Sequence, residues 1–268
     1  MNRKKWGGSQ VKTMRPKDPQ SLRVLSYNIH KGFSAAGRRF VLEPIRRMLH
    51  ETKADVVLLQ EVIGSHATHA NRVDGWPTET QFEFLADSVW PHFAYGRNAV
   101  YPEGHHGNAI LSRYPIGSWE NIDVSSHPLE SRGLLHATIQ PDGWSQPLHL
   151  LCVHLALVEF GRGRQIQWMC QRVASHVSAN EPLLIAGDFN DWRHLGGRKL
   201  ERELGVREVH KTLHGRYART FPSVLPLLHL DRIYVRGLEP QFGMAFTGRL
   251  WNELSDHCPV ICDVAPMT

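Results

Sequence analysis

The sequence predicts a layered α/β fold, and three observations carry that expectation. Short, β-rich apolar runs such as ADVVLLQEV (54–62) and LLIAG (183–187) recur along the chain, too short for helices. Between them lie two or three stretches with apolar residues at helical spacing. There is no low-complexity tract or interior linker, and the two halves share a similar plan, so one domain is expected over residues 21–268. A length of 268 residues, with 41% hydrophobic and 21% charged, suits a soluble globular protein with a substantial core.

Residues 1–20 are polar, rich in Lys and Gly and aperiodic, and read as a flexible leader. LRVLSYNI (22–29) reads as a strand and 32–38 as a loop. In 40–50, Phe40, Val41, Ile45, Met48 and Leu49 fall near helical spacing, with Arg46 and Arg47 on the wet face. After the strand at 54–62, residues 64–80 read as loop, with His66 and His69 at the surface. An amphipathic helix is expected at 81–90, a strand at 93–99, a polar loop at 103–106 and a strand at 107–112. Strands at 116–124, 133–140 and 147–155 precede a helix over 161–179, with Ile166, Met169, Val173 and Val177 inward. The strand at 183–191 leads into a Pro-interrupted stretch to 229 with one short helix near 197–204. Strands at 230–235, 243–247 and 259–264 complete the chain.

Charge is unevenly placed. Residues 1–23 carry seven Lys or Arg and one acid, whereas the remainder holds 24 basic and 25 acidic residues. The pI of 9.1 therefore belongs to the tail and argues little for nucleic-acid binding by the body. The tail itself suits contact with nucleic acid or anionic lipid, or serves only as a solvated leader. No apolar run approaches the ~20 residues of a membrane span, and no apolar segment follows the N-terminal charges, so a cytoplasmic protein is expected, at most peripheral to a membrane. Cys152, Cys170, Cys258 and Cys262 form no CxxC pair and read as reduced core or near-core residues, not a zinc site.

The chemistry centres on LLIAGDFND (183–191). Asp188 and Asn190 are two apart, so extended geometry puts them on one face and Phe189 on the other. A carboxylate beside a carboxamide suits gripping a water and a phosphate oxygen together. A lone Asp at a strand end is commonly only a cap or turn residue. Here polar groups recur where apolar strands stop: Asn28, Glu61, His154, Asp188 with Asn190, Asp231, and Asp256 with His257. Each has a plain structural explanation alone. Together they suit metal-assisted phosphoester hydrolysis, in which a hard dication takes carboxylate and amide oxygens while histidines handle protons and the anionic transition state.

The ordered motifs SYNIH, LLQEV, GNAILSRYPI, VHLAL, IAGDFND, LDRIYV and SDHCPV, spanning about residues 22–264, resemble the endonuclease/exonuclease/phosphatase superfamily. That group includes DNase-I-like nucleases, abasic-site endonucleases, neutral sphingomyelinases, inositol polyphosphate 5-phosphatases and deadenylases. The resemblance implies a four-layer sandwich of two mixed sheets flanked by helices, and a Mg²⁺-dependent (or Mn²⁺-dependent) hydrolase. It makes Glu61 the main metal ligand, with Asn28 close by and Asp256 in the metal environment. Asp188 would orient or deprotonate the attacking water, Asn190 would hold the phosphate, and His257, oriented by Asp231, would contact the scissile phosphate. His154 matches the second histidine of the DNase-I-like and sphingomyelinase branches, where abasic-site endonucleases carry Asn; Glu103 is its candidate partner. Asn108 matches a position near the substrate, and Arg132 and Arg164 are candidate phosphate contacts. The pairs His105-His106 and His210/His214 read as surface.

Three functions fit the sequence. A nuclease acting on DNA or RNA is the first, with Trp76, Tyr101 and Trp192 as candidate base-stacking groups, although the near-neutral body stands against it. The second is a phospholipid, phosphoinositide or other small phosphoester hydrolase in which FPSVLPLLHL (221–230) inserts at a membrane interface; the plain expectation for that run is a loop packed on the core. The third is a non-catalytic binding module, which the intact set of acids and histidines opposes.

Overall fold

Twelve strands form two six-stranded sheets in the computed structural model, which describes residues 17–18, 20–127 and 130–267. The first sheet contains β1 (Leu22–Asn28), β2 (Val56–His66), β3 (His92–Tyr101), β4 (Gly104–Ser112), β11 (Leu238–Ala245) and β12 (Val260–Pro266), ordered β11-β12-β1-β2-β4-β3. The second contains β5 (Ile116–Asp123), β6 (Gly133–Ile139), β7 (Leu148–His154), β8 (Leu183–Asp188), β9 (Arg207–Glu208) and β10 (Asp231–Arg236), ordered β5-β6-β7-β8-β10-β9. Each sheet is mixed: β1/β2 and β7/β8 run parallel, and the other pairs run antiparallel.

Side chains of the central strands are buried on both faces, which is why their sequences show no polar alternation. Val24 and Leu58 face the other sheet, where they join Leu150, Cys152, Leu184 and Ile233. Leu25 and Leu59 face outward under helices α1 (Leu42–Thr52) and α3 (Gln81–Ala86), packing with Ile45, Leu49 and Leu85. On the far side, Leu151 and Ile185 pack with Ile166 and Met169 of α4 (Glu159–His176) and Leu200 of α5 (Leu195–Leu204). The result is four layers: helices, sheet, sheet, helices.

Several local expectations need correction. β2 runs through the expected loop as far as His66, and its partner β4 begins at Gly104, inside the expected 103–106 loop; the pairs Val62↔Gly107 and His66↔Gly104 show the ladder overriding the polar sequence. α2 (Ala67–Arg72) follows at once, with the His66 side chain accepting from the His69 N–H. The stretch 191–229 holds β9 and also α6 (Val209–His214), capped by Glu208. A further short helix, α7 (Arg249–Asn252), precedes the last strand. These pieces are too short to leave a periodic signature. Of the expected leader, Lys17 lies 2.5 Å from Asp55; most of it falls outside the described residues. All four cysteines are buried and free. No helix of the described residues is long and apolar enough to cross a membrane.

Candidate active site

The two parallel pairs end at one rim of the sandwich, and strand register sets the catalytic level. His154 and Asp231 both pair with Asp188, so the ends of β7 and β8 and the start of β10 lie in one row. Opposite them Asn28 pairs with Gln60, next to Glu61. Gly187 permits this closeness: at φ +148°, an added Cβ would sit 1.9 Å from the Val153 carbonyl oxygen.

Two departures from regular strand geometry aim the acids. Between Leu59 and Val62 the β2/β4 register shifts, and Glu61 sits in the bulge at φ +56°. Regular alternation would put Glu61 on the face of Leu59, under the helices; with the bulge Val62 takes that face and Glu61 lines the site. Asn190, at φ +49°, corrects the expectation of an extended Asp188-Phe189-Asn190. β8 ends at Asp188, and a tight turn lets the Asn190 N–H donate to Asp188 Oδ1 at 3.0 Å. Its side-chain amide donates to the Leu155 carbonyl at 3.0 Å and, at a long 3.4 Å, to Asp188 Oδ2. Left-handed backbone at non-glycine residues costs about 1–2 kcal/mol each, a strain that commonly marks functional positions.

His257 Nδ1 bonds to Asp231 Oδ2 at 2.9 Å, leaving Nε2 3.7 Å from Asp188 Oδ2. Burial alone would lower the His257 pKa, but the charges of Asp231 and Asp188 and the Asp231 hydrogen bond raise it to about 10, so it is an imidazolium at neutral pH. His154 Nε2 lies 3.5 Å from Asp188 Oδ2, yet burial, aided by Arg132, lowers its pKa to about 3 and keeps it neutral. Burial also pushes Asp188 above the usual carboxylate range, against the pull of His257. Two histidines in opposite charge states thus flank one buried carboxylate at a cleft of about 470 Å³.

A profile of the endonuclease/exonuclease/phosphatase family matches residues 25–257. The chain belongs to that family. YbhP of Escherichia coli, itself uncharacterized, is 48% identical over 244 residues, 91% of this chain and 96% of that protein. Among solved structures, an endonuclease/exonuclease/phosphatase from Beutenbergia cavernae superposes with a TM-score of 0.72 at 19% identity, covering 92% of this chain and 72% of that one. D. rerio TDP2 complexed with single-strand DNA product gives 0.67 at 20% identity, covering 91% and 98%. Family membership supports a phosphoester hydrolase in general terms.

Of the residues expected at such a family site, Glu61, His154, Asp188, Asn190, Asp256, His257 and Arg132 line the cleft, and Asp231 sits directly behind His257. Arg132 lines the cleft, and its Nε is 3.9 Å from Glu130 with no hydrogen bond, so the guanidinium charge is not committed to a close ion pair. Asn28 lies close by Glu61 and also faces Asp188. Its Oδ1 accepts from the His30 N–H at 3.1 Å, while its NH₂ faces Glu61 at 3.3 Å and Asp188 at 3.4 Å, so it donates to both carboxylates. Asn108 is buried outside the cleft lining, where its amide bridges the sheets by donating to the carbonyls of Gly133 and Cys152. Arg164 is exposed and stacks on Trp168, away from the cleft. Glu103 lies in the β3–β4 turn, and the carboxylate against His154 is Asp188.

Lys31 and His106 also line the cleft and were not anticipated. His106 reaches it because β4 begins early; burial, then Lys31, lowers its pKa to about 4. Of the aromatic candidates, Trp192 lines the mouth, whereas Trp76 stacks on Phe40. The 221–230 run does not pack wholly on the core. Its base is held by Ser223, which donates to the backbone of Asp256 and Ser255, but Val224, Leu225 and Leu227 project into solvent.

The donor set fits a hard cation. Glu61 and Asp188 are close enough for one Asn28 nitrogen to face both, and with Asp256 they supply oxygen ligands without thiolate. Asp188, Asp231 and His257 form a tighter group, with candidate atoms within 4.8 Å of one another, but His257 Nδ1 is already committed to Asp231, so this trio suits proton and charge handling better than a ligand cage.

Proposed function

We propose that this protein is a Mg²⁺-dependent phosphoester hydrolase that works by in-line attack of water, Mn²⁺ being an acceptable substitute. What carries the proposal is the placing of two imidazole Nε2 atoms 3.5 and 3.7 Å from one buried Asp188 oxygen, His257 kept cationic by Asp231 and His154 kept neutral by burial, so that a cation and a neutral imidazole meet at one reacting centre. Glu61 and Asp256 would hold the metal, with Asn28 fixing the Glu61 carboxylate by hydrogen bond. The metal, when bound, would neutralise charge on the phosphate and lower the pKa of water.

Asp188, a buried base of raised pKa, would orient the water and take its proton. As the water oxygen bonds to phosphorus the bond to the leaving oxygen breaks, that alkoxide takes a proton from solvent water, and Asp188 returns the proton it took to solvent, so the proton count closes. The His257 cation and the Arg132 guanidinium would hold the equatorial oxygens, and the neutral His154 stands on the leaving-group side. A phosphate oxygen would displace the long Asn190–Asp188 contact and take up that amide N–H. A nucleic-acid substrate finds support in the TDP2 complex with single-strand DNA product; the near-neutral body and the apolar mouth weigh the other way.

The roles are tested by pH–rate profiles on a soluble diester, bis-p-nitrophenyl phosphate. Asp231→Asn removes a charge that raises the His257 pKa, so His257 loses its proton at lower pH. The alkaline limb of kcat should move toward neutrality, and the acid limb, set by Asp188, whose pKa the Asp231 charge also raises, should move to lower pH. An unmoved alkaline limb would remove His257 from the charged role.

A further inference from the structure

Exposed large apolar side chains gather at the cleft mouth on two separate segments, one running from the end of β7 into the first turn of α4 and one in a hairpin. Leu157, Val158 and Phe160 (62%, 70% and 76% exposed) follow β7, and Val224, Leu225 and Leu227 (64%, 64% and 55% exposed) tip the hairpin before β10. Leu157 and Leu228 line the same cleft from these two segments, so the apolar tips flank the catalytic opening. The hairpin is not a loose loop. Phe221 and Leu228 exchange backbone hydrogen bonds, and Ser223 ties its base to Ser255 and Asp256, next to His257. A rigid base carrying apolar tips into water is costly unless something covers them, and apolar groups clustered at one opening usually mark an interaction surface.

Charge indicates the occupant. Arg216 and Arg219, in the segment leading to the hairpin, are exposed and form no ion pair among the described residues. Both line a separate pocket, but Arg219 directly precedes Thr220, whose N–H bonds the Leu228 carbonyl, so guanidinium charge sits at the base of the hairpin, and apolar tips above a basic base suit an anionic bilayer. A polynucleotide would instead need a basic track with aromatic platforms, and of these six side chains only Phe160 is aromatic.

We propose that these segments seat the protein on an anionic phospholipid bilayer, so that the cleft between them receives the phosphoester of a lipid headgroup. The headgroup part rests on the hydrolase reading above; the docking part does not. The test uses the native protein and the double variant F160S/L225S, since neither side chain lines the cleft. Vesicle flotation is measured with phosphatidylcholine–phosphatidylglycerol and with phosphatidylcholine alone, beside hydrolysis of bis-p-nitrophenyl phosphate and of a single-stranded oligonucleotide. The native protein should float with the mixed vesicles and release phosphorylated product or free headgroup from them. The double variant should bind them about tenfold or more weakly, with small-diester hydrolysis unchanged. Absence of flotation by the native protein, or undiminished flotation by the variant, overturns the proposal. So does a variant that loses oligonucleotide cleavage while still floating, which would make the segments a nucleic-acid platform. Loss of flotation in the variant, with no hydrolysis of any ester by either protein, would uphold docking and overturn the hydrolase reading instead.

Discussion

Replacing His257 by alanine is expected to lower kcat for a phosphodiester by about 10³-fold, within the range for a positioned acid–base or charge-stabilising group. The imidazole sits between Asp231, at 2.9 Å, and Asp188, at 3.7 Å. Its removal takes the largest fixed positive charge away from buried carboxylates and leaves the reacting phosphate facing net negative charge. Because the effect is on the transition state, KM should change much less than kcat. Circular dichroism and steady-state kinetics on the purified variant check both parts. A folded variant with near-native kcat would mean that the phosphate binds elsewhere.

Asp191→Ala should produce the largest loss of stability, about 3–5 kcal/mol, seen as a fall of roughly 10 °C in Tm. Asp191 is fully buried just after Asn190. Its carboxylate accepts from the Leu195 N–H at 3.1 Å, the Gly197 N–H at 3.0 Å and Arg232 Nη1 at 3.1 Å, and Arg162 Nε lies 3.9 Å away. Arg232 also donates to the Asp191 carbonyl. Arg162 and Arg232 are themselves almost wholly buried, so losing the shared anion leaves two guanidinium groups without their counter-charge. Thermal unfolding followed by fluorescence checks this, and Asp191→Asn, which keeps an acceptor, should fall between the two.

Much of the fold was legible because each central strand is an apolar run buried on both faces, and because those runs end on polar residues. The row His154, Asp188, Asp231 follows from strand ends that sequence alone locates within a residue or two. What was not legible depends on backbone departures without a sequence period. The bulge that turns Glu61 into the cleft, and the turn that folds Asn190 back onto Asp188, were hidden behind an expectation of regular strands. The polar neighbours of His106 disguise the start of β4, so its place in the cleft leaves no mark in the sequence. Asp191 gave no signal at all, since its partners Arg162 and Arg232 are 29 and 41 residues away. Arg164 is two residues from the buried Arg162 on the same helix, and its guanidinium faces solvent and Trp168.

The most direct test of the central claim is metal dependence with a binding readout. The native protein, stripped with EDTA and dialysed, is titrated with Mg²⁺ while hydrolysis of bis-p-nitrophenyl phosphate and the heat of metal binding are both recorded; Glu61→Gln is treated in parallel. Activity that is absent in EDTA, returns along the native binding isotherm, and fails to return in Glu61→Gln at the same Mg²⁺ is the predicted result. Full turnover in EDTA, or equal metal binding and turnover in Glu61→Gln, would contradict it.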